Sequence, residues 1–439
     1  MTIAADRVHD VLRRHQLVDG YPVVVDLEKS HGPWLHDAKT GREYFDAFTC
    51  FASWPIGYNH PMMEDEAFRA ELLTAALTKI ANADLYTSSM ASFVDTFSTH
   101  VTPASHPYHF WISGGSLAVE NAMKVAFDWK ARKLGRTDFH ENVNDLVIMH
   151  FKHAFHGRSG YTLSVTNTLP DKVGLFPQFQ WPRITPPAME FDLDGGIAND
   201  IEAAEKATYA EMEAAFARHR GKVAAILIEP LQAEGGDHHF RPEFMRKLRL
   251  YADEEEAMLI FDEVQTGFFG TGTPWLWQQY DVEPDVVSFG KKTQICGIYS
   301  NRRVDEVDDN VFHRSSRINS TWGGSLVDMV RCRRFIEIIE HEKLANNIAE
   351  QGARCVEGLR RLARETGAFR NVRGRGSLIA FTADSPDARQ ALIHSMFERQ
   401  LMALPCGKDS VRFRLPLTVS ANDVDTMLER VAESVPASV

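Results

Sequence analysis

Two adjacent lysines, Lys291 and Lys292, follow the short apolar run VVSFG at 286–290. Lysine is among the residue types least often fully buried. An amine at the mouth of a core strand loses hydration and with it part of its hold on a proton. Its neutral form can then attack an aldehyde and form a Schiff base. If the extended chain runs on past the strand, successive side chains point to opposite faces. The pair therefore predicts one amine facing a pocket and the other turned away, toward solvent or an acid partner. Two surface lysines at a strand exit would look the same in sequence.

Three further places carry groups that suit such an amine. Asp262 and Glu263 follow the apolar run MLIF. Ligands of open α/β sheets sit beyond the carboxyl ends of strands. A carboxylate there can hold a protonated ring nitrogen, and Gln265 can donate to a neighbouring oxygen; a helix cap or an arginine partner would equally explain Asp262. In HFWISGGSLAVENAMK, a strand meets Gly114 and Gly115 and a helix starts near Ser116. Unpaired N–H groups and the positive dipole end favour a phosphate there. A plain glycine turn with a serine cap is the alternative. The third place is a scatter of residues: Phe155, His156 and Arg158 in FHGR, Glu234 in EPLQAEGG, and Arg412 and Arg414 in VRFRLPL. The aromatic rings offer flat stacking faces. Arginine forks bind carboxylates in bidentate fashion, although each could also be a structural ion pair.

The elements around these residues must place them at one sheet edge. LVIMHF (146–151), VAAILIE (223–229), MLIFD (258–262) and VVSFG (286–290) are short and almost wholly apolar. Such runs predict a parallel sheet covered on both faces. Val119, Ala122, Met123 and Ala126 recur at helical spacing, as do Phe244, Leu248 and Tyr251 behind Pro242 at a helix start. Alternating strands and helices predict an α/β core over residues 61–325. From 326 to 439, a long helical stretch, the strands SLIAFTA and VRFRLPLTV, and two further helices predict a smaller α+β domain. Residues 1–60 carry strand-like pieces and are expected to pack on the other parts.

Composition limits the function classes. Hydrophobic residues are 44% and charged residues 25% of the 439 residues, enough for an ample core. Lys+Arg 48 against Asp+Glu 60 gives a formal charge of −12, which argues against nucleic acid as the main partner. The five cysteines, Cys50, Cys296, Cys332, Cys355 and Cys406, contain no CxxC pair and suit reduced thiols in the cytoplasm. The charged N-terminus predicts no secretory leader, and no apolar run reaches the roughly 18 residues a membrane span needs. His150, His153 and His156 are spaced by three without any metal-site frame, so no metal is expected.

Taken in order, the chain offers a phosphate cradle, an aromatic, a strand-end carboxylate and a strand-end lysine. These are the needs of pyridoxal 5'-phosphate. At these residues the chain resembles the class III (ornithine/GABA type) aminotransferases of the aspartate-aminotransferase-like fold type I. The resemblance rests on GGSLAVENAMK, FHGR, EPLQAEGG, FDEVQTGFFGTG, PDVVSFGK and NSTWGGS, and it spans nearly the whole chain. FFGTGT lacks the usual arginine of that run, and KTQICG replaces a glycine-rich one. Both departures resemble the branch of the family that acts on the ε-amino group of L-lysine; the alternative is another class III ω-aminotransferase, with ornithine, GABA or a diamine as donor.

The resemblance implies a large cofactor domain with a mostly parallel sheet, a smaller α+β domain, and a homodimer with shared active sites. It assigns Lys291 to the Schiff base, Asp262 to the pyridinium nitrogen, Gln265 to the ring hydroxyl and Phe155 to the ring face. Gly115 and Ser116 would hold the phosphate, joined by Thr321 from the other subunit, with Asn319 on the substrate side. Arg412 would grip the carboxylate next to the keto carbon of 2-oxoglutarate, and Arg158 the far carboxylate of either substrate. When L-lysine is bound, Glu234 would neutralise Arg412 and then swing away for 2-oxoglutarate. Glu234→Ala should therefore favour α-amino donors such as glutamate over lysine.

Overall fold

The four apolar runs form the strands Val147–Phe151, Val223–Ile228, Met258–Asp262 and Val286–Phe289, each buried along its whole length. The computed structural model, which describes residues 3–435, aligns these four in parallel. They are the centre of a seven-stranded sheet. Its order is Tyr108–Ile112, Cys296–Ser300, Val286–Phe289, Met258–Asp262, Val223–Ile228, Val147–Phe151, Arg183–Ile184. Only Cys296–Ser300 runs against its neighbours. Successive residues point to opposite faces, so Leu259, Phe261 and Val287 enter one core while Met258, Ile260 and Val286 enter another. Each such side chain contributes roughly 1.5–3 kcal/mol on burial, which is why these runs could not be surface strands.

The helix Gly115–Lys133 closes one face through Ala118, Val119, Ala122, Met123, Ala126 and Trp129. The helix Pro242–Glu254 starts on its proline, as expected, and buries Phe244, Leu248 and Tyr251 on the other face. The helical stretch read as continuous after residue 326 is two helices, Leu326–Glu342 and Leu344–Thr366. Lys343, at φ 54°, turns the chain between them. The first helix packs on Glu66–Leu77 and Ser88–His100, and the second covers the C-terminal strand Phe369–Arg375. No glycine or proline marks that break, so helical periodicity alone ran straight through it.

A four-stranded antiparallel sheet of Phe369–Arg375, Leu378–Ala383, Ser410–Arg414 and Leu404–Cys406 carries Arg412 and Arg414. The N-terminal strands Val25–His31, Trp34–Asp37 and Glu43–Asp46 form a third sheet, which Leu401–Met402 joins in parallel. Beyond it, Thr49, Cys50, Phe51 and Ala52 all have positive φ, from 42° to 66°. Left-handed backbone costs about 1–2 kcal/mol per residue. Three ties hold this turn. Asp46 accepts from the Phe48 and Thr49 amides at 2.9 and 2.7 Å, Thr49 Oγ1 donates to the Arg414 carbonyl at 3.0 Å, and Gln265 Nε2 donates to the Phe51 carbonyl at 3.0 Å. Among the described residues no helix is long and apolar enough to cross a membrane.

Candidate active site

Asp262 ends one strand, and Lys291 lies one glycine beyond its parallel neighbour, in a register that sets Asp262 opposite Ser288. Both side chains therefore reach the same carboxyl edge. The backbone does not stay extended, however. Lys291 has φ 55° and opens a short 3-10 turn. The alternation expected for the two lysines is replaced by this turn, and neither is surrendered to solvent. Burial pulls the Lys291 amine down to about 8, with Asp262 opposing the shift. Lys292 corrects the expectation of a residue facing solvent or an acid. It is 2% exposed, and its amine donates to the Gln265 carbonyl, with no ion-pair partner among the described residues. Burial, helped by Arg414 and Lys291, pushes its pKa well below that of a free lysine.

Around Lys291 lies a cavity of about 330 Å³, walled by Gly115, Ser116, Phe155, Val264, Asp262 and Gln265, among others. The first turn of helix Gly115–Lys133 supplies amides without carbonyl partners of their own helix. Ser116 is not the expected cap, because Gly114 holds that position without a side-chain bond. The Ser116 hydroxyl instead joins Ser159 and Thr162 at 2.5 and 2.7 Å, and Ser159 donates on to Glu120. Its contribution to an anion is its helix-terminal amide. Gly157, at φ 119°, passes so close that a Cβ would lie 2.2 Å from Ser116 Oγ.

Asp262 accepts from His156 Nδ1 at 2.7 Å, from the Val264 amide at 3.1 Å and from Ser288 Oγ at 3.3 Å. An ionised carboxylate can only accept, so the first bond puts a proton on Nδ1. Sequence reading cast His156 only as a stacking face; 106 residues separate the pair, and no spacing rule links them. Glu229 was missed altogether. It is buried in the wall of the same cavity and accepts from the Phe155 amide at 2.9 Å, fixing the base of that ring. Burial and Asp262 raise its pKa to about 7. Its position at the end of Val223–Ile228 was the available signal, the same one that pointed to Asp262.

The two arginines of VRFRLPL part company. Arg414 forks onto Asp237 at 2.9 and 2.5 Å and donates from Nε to Gln265 Oε1 at 3.1 Å. Its charge is therefore spoken for, and it anchors Gln265, whose amide nitrogen keeps one hydrogen beyond the bond to Phe51. Arg412 is 3% exposed, its Nε and Nη1 have no partner, and no carboxylate among the described residues lies in ion-pair range. The expected Glu234–Arg412 pair is not formed; Glu234 is held by Lys172 and by Thr168 Oγ1 at 2.7 Å. Arg158 is exposed at the cavity wall. Asn319 and Thr321 are exposed and do not line the cavity of their own chain.

A strand-end lysine and a strand-end aspartate on adjacent parallel strands, facing a helix N-terminus, define an enzyme that works on amines through pyridoxal phosphate. The chain belongs to the class III aminotransferases, whose family description matches residues 17–435. It is 47% identical to the L-lysine-epsilon aminotransferase of Mycobacterium bovis over 433 residues, covering 98% of this chain and 96% of that one. To the enzyme of the same name from Amycolatopsis lactamdurans it is 46% identical, over 97% and 95% of the two chains. The solved lysine aminotransferase from M. tuberculosis in the internal aldimine form superposes with a TM-score of 0.94 at 47% identity, over 99% of each chain.

The cofactor of this family is pyridoxal 5'-phosphate. The residues fit it. The helix amides and the close Gly157 suit its phosphate, Asp262 its ring nitrogen, the free Gln265 hydrogen its hydroxyl, Phe155 its ring face and the Lys291 amine its aldehyde. Only the neutral amine attacks an aldehyde. The neutral fraction of Lys291 grows as pH rises toward about 8. Cofactor-free protein mixed with pyridoxal phosphate should therefore reconstitute about tenfold faster per pH unit up to about pH 8, then level off. Stopped-flow absorbance would check this, and a midpoint near that of free lysine would contradict the burial of Lys291.

Proposed function

We propose that the enzyme moves the ε-amino group of L-lysine to 2-oxoglutarate, giving 2-aminoadipate 6-semialdehyde and L-glutamate, as a cytoplasmic homodimer. One observation carries the acceptor half: among the described residues Arg412 is buried without an ion-pair partner, close enough to Lys291 for its charge to act there, while Glu234, whose charge reaches Arg412, is engaged with Lys172 and Thr168. A cation in that state suits an acceptor whose carboxylate is next to the reacting carbon. The relatives' shared activity supports lysine as donor.

When bound, the cofactor supplies an electron sink for the carbon that loses a proton. The chain does the rest. Lys291 Nζ, neutral near its lowered pKa, would take a proton from the ε-carbon of lysine and deliver it to the cofactor's former aldehyde carbon, and would run the reverse transfer in the 2-oxoglutarate half. Asp262, itself oriented by His156 and Ser288, holds positive charge at the ring nitrogen. Gln265 is fixed at three points, by Lys292, Arg414 and Phe51, and so directs its remaining hydrogen without reorganising. Arg412 grips the carboxylate beside the keto carbon of 2-oxoglutarate, and Arg158 the far one. Asn319 and Thr321, exposed on their own chain, reach the site of a second copy. Residues 1–60, 61–325 and 326–439 act as the N-terminal segment, the cofactor domain and the small domain in this reading.

The test is a donor panel of L-lysine, ornithine, GABA and a diamine with 2-oxoglutarate, with the products identified. Lysine should lead, and its product should carry the aldehyde at C6. Faster turnover of ornithine or GABA would replace the donor assignment. In the same assay, Arg412→Ala should slow the 2-oxoglutarate half by about 10²-fold or more while sparing the lysine half. Equal loss in both halves would remove Arg412 from the acceptor role.

A further inference from the structure

Two donors, Lys172 and Thr168, compete with Arg412 for the Glu234 carboxylate. Its Oε1 accepts from both Lys172 Nζ and Thr168 Oγ1, 62 and 66 residues upstream in the chain. Arg412, the cation it would neutralise, remains bare. Lys172 lies in the short helix Pro170–Val173, and Thr168 lies two residues before it. The Lys172 amine also sits 5.3 Å above the Phe155 ring, so one cation touches both the acid and a wall of the cavity.

We infer that Lys172 and Thr168 form a seat that holds the Glu234 carboxylate away from Arg412, and that they thereby set how readily a dicarboxylate enters. The inference rests on the proposed lysine-to-2-oxoglutarate reaction. The two cations that could hold Glu234 are unequal. The Lys172 side chain is 20% exposed, whereas Arg412 is 3% exposed. If Glu234 leaves Lys172, water can replace it; if Glu234 leaves Arg412, only a substrate carboxylate can. An exposed pair is also the weaker one. A lone lysine would lose this contest, and the second donor from Thr168 makes the seat competitive. The seat therefore competes with Arg412 for Glu234 and keeps Arg412 open to the carboxylate of 2-oxoglutarate. Lys172 and Thr168 are positioning residues, since neither is required to touch substrate.

Glutarate, a dicarboxylate that cannot react, reports on Arg412 directly. In holoenzyme, Lys172→Met should weaken glutarate binding about tenfold by calorimetry. KM for 2-oxoglutarate should rise by a similar factor with kcat of that half-reaction nearly kept. Thr168→Val should act in the same direction, more weakly, and Lys172→Arg should restore binding. In a Glu234→Ala background the effect of Lys172→Met should vanish, because no acid then competes for Arg412. Unchanged glutarate binding in Lys172→Met, or a loss that persists in the Glu234→Ala background, would overturn the seat. Failure of the wild-type enzyme to convert lysine would instead sink the underlying reaction, so the two failures are distinct.

Discussion

Lys291→Ala should abolish the borohydride-stable link between protein and cofactor and lower turnover by roughly four orders of magnitude. Lys291 is the amine on the cavity, and burial holds it at about 8, so it is neutral often enough to bond an aldehyde and to carry a proton. Lys292 cannot replace it. Its amine is turned inward onto the Gln265 carbonyl, and a Cβ added at Gly270 would lie only 2.7 Å from its Cε. Lys292→Met should therefore keep the link, at a cost in stability of about 1–3 kcal/mol from the carbonyl left without a donor. Borohydride reduction followed by peptide mapping separates the two. A labelled peptide carrying cofactor on Lys292 in the Lys291→Ala protein would reverse the assignment.

Asp262→Ala should cost about 10²–10³-fold in kcat/KM, and by the same factor in both half-reactions. The loss combines two effects. The ring nitrogen would lose its counter-charge, and His156 Nδ1 and Ser288 Oγ would lose the acceptor they share in a fully buried place. Asp262→Asn keeps the shape but not the charge, and should fall nearly as far. Its melting temperature should stay closer to wild type than that of the alanine variant. The symmetric loss is the discriminating result, since Arg412→Ala acts on one half only. Stopped-flow traces with lysine alone and with 2-oxoglutarate alone would tell them apart. A loss confined to one half would move Asp262 from the ring nitrogen to a substrate.

Much of this site was legible because its groups stand at strand ends. Lys291, Asp262 and Gln265 are announced by apolar runs that stop short of them, and Gly115 by a strand that meets a helix. His156 and Glu229 were less legible. Their partners lie 106 and 74 residues away, and nothing in their own neighbourhoods encodes those distances. Arg412 and Arg414 differ by two positions on one strand and so point the same way, yet one is spent on Asp237 and the other is free. Local sequence treats them alike.

The chain's own order of residues determined the α/β architecture, the strand-end chemistry and the need for a phosphate-bearing aldehyde cofactor, because hydrophobic periodicity and residue type act over a few positions. Tertiary structure alone decided the inward turn of Lys292, the left-handed course of 49–52 toward Gln265, and the attachment of Glu234 to Lys172 rather than Arg412. Each of those depends on which distant group reaches a buried charge or carbonyl first. That is a contest of desolvation against pairing, and it is settled only when the sheets are packed.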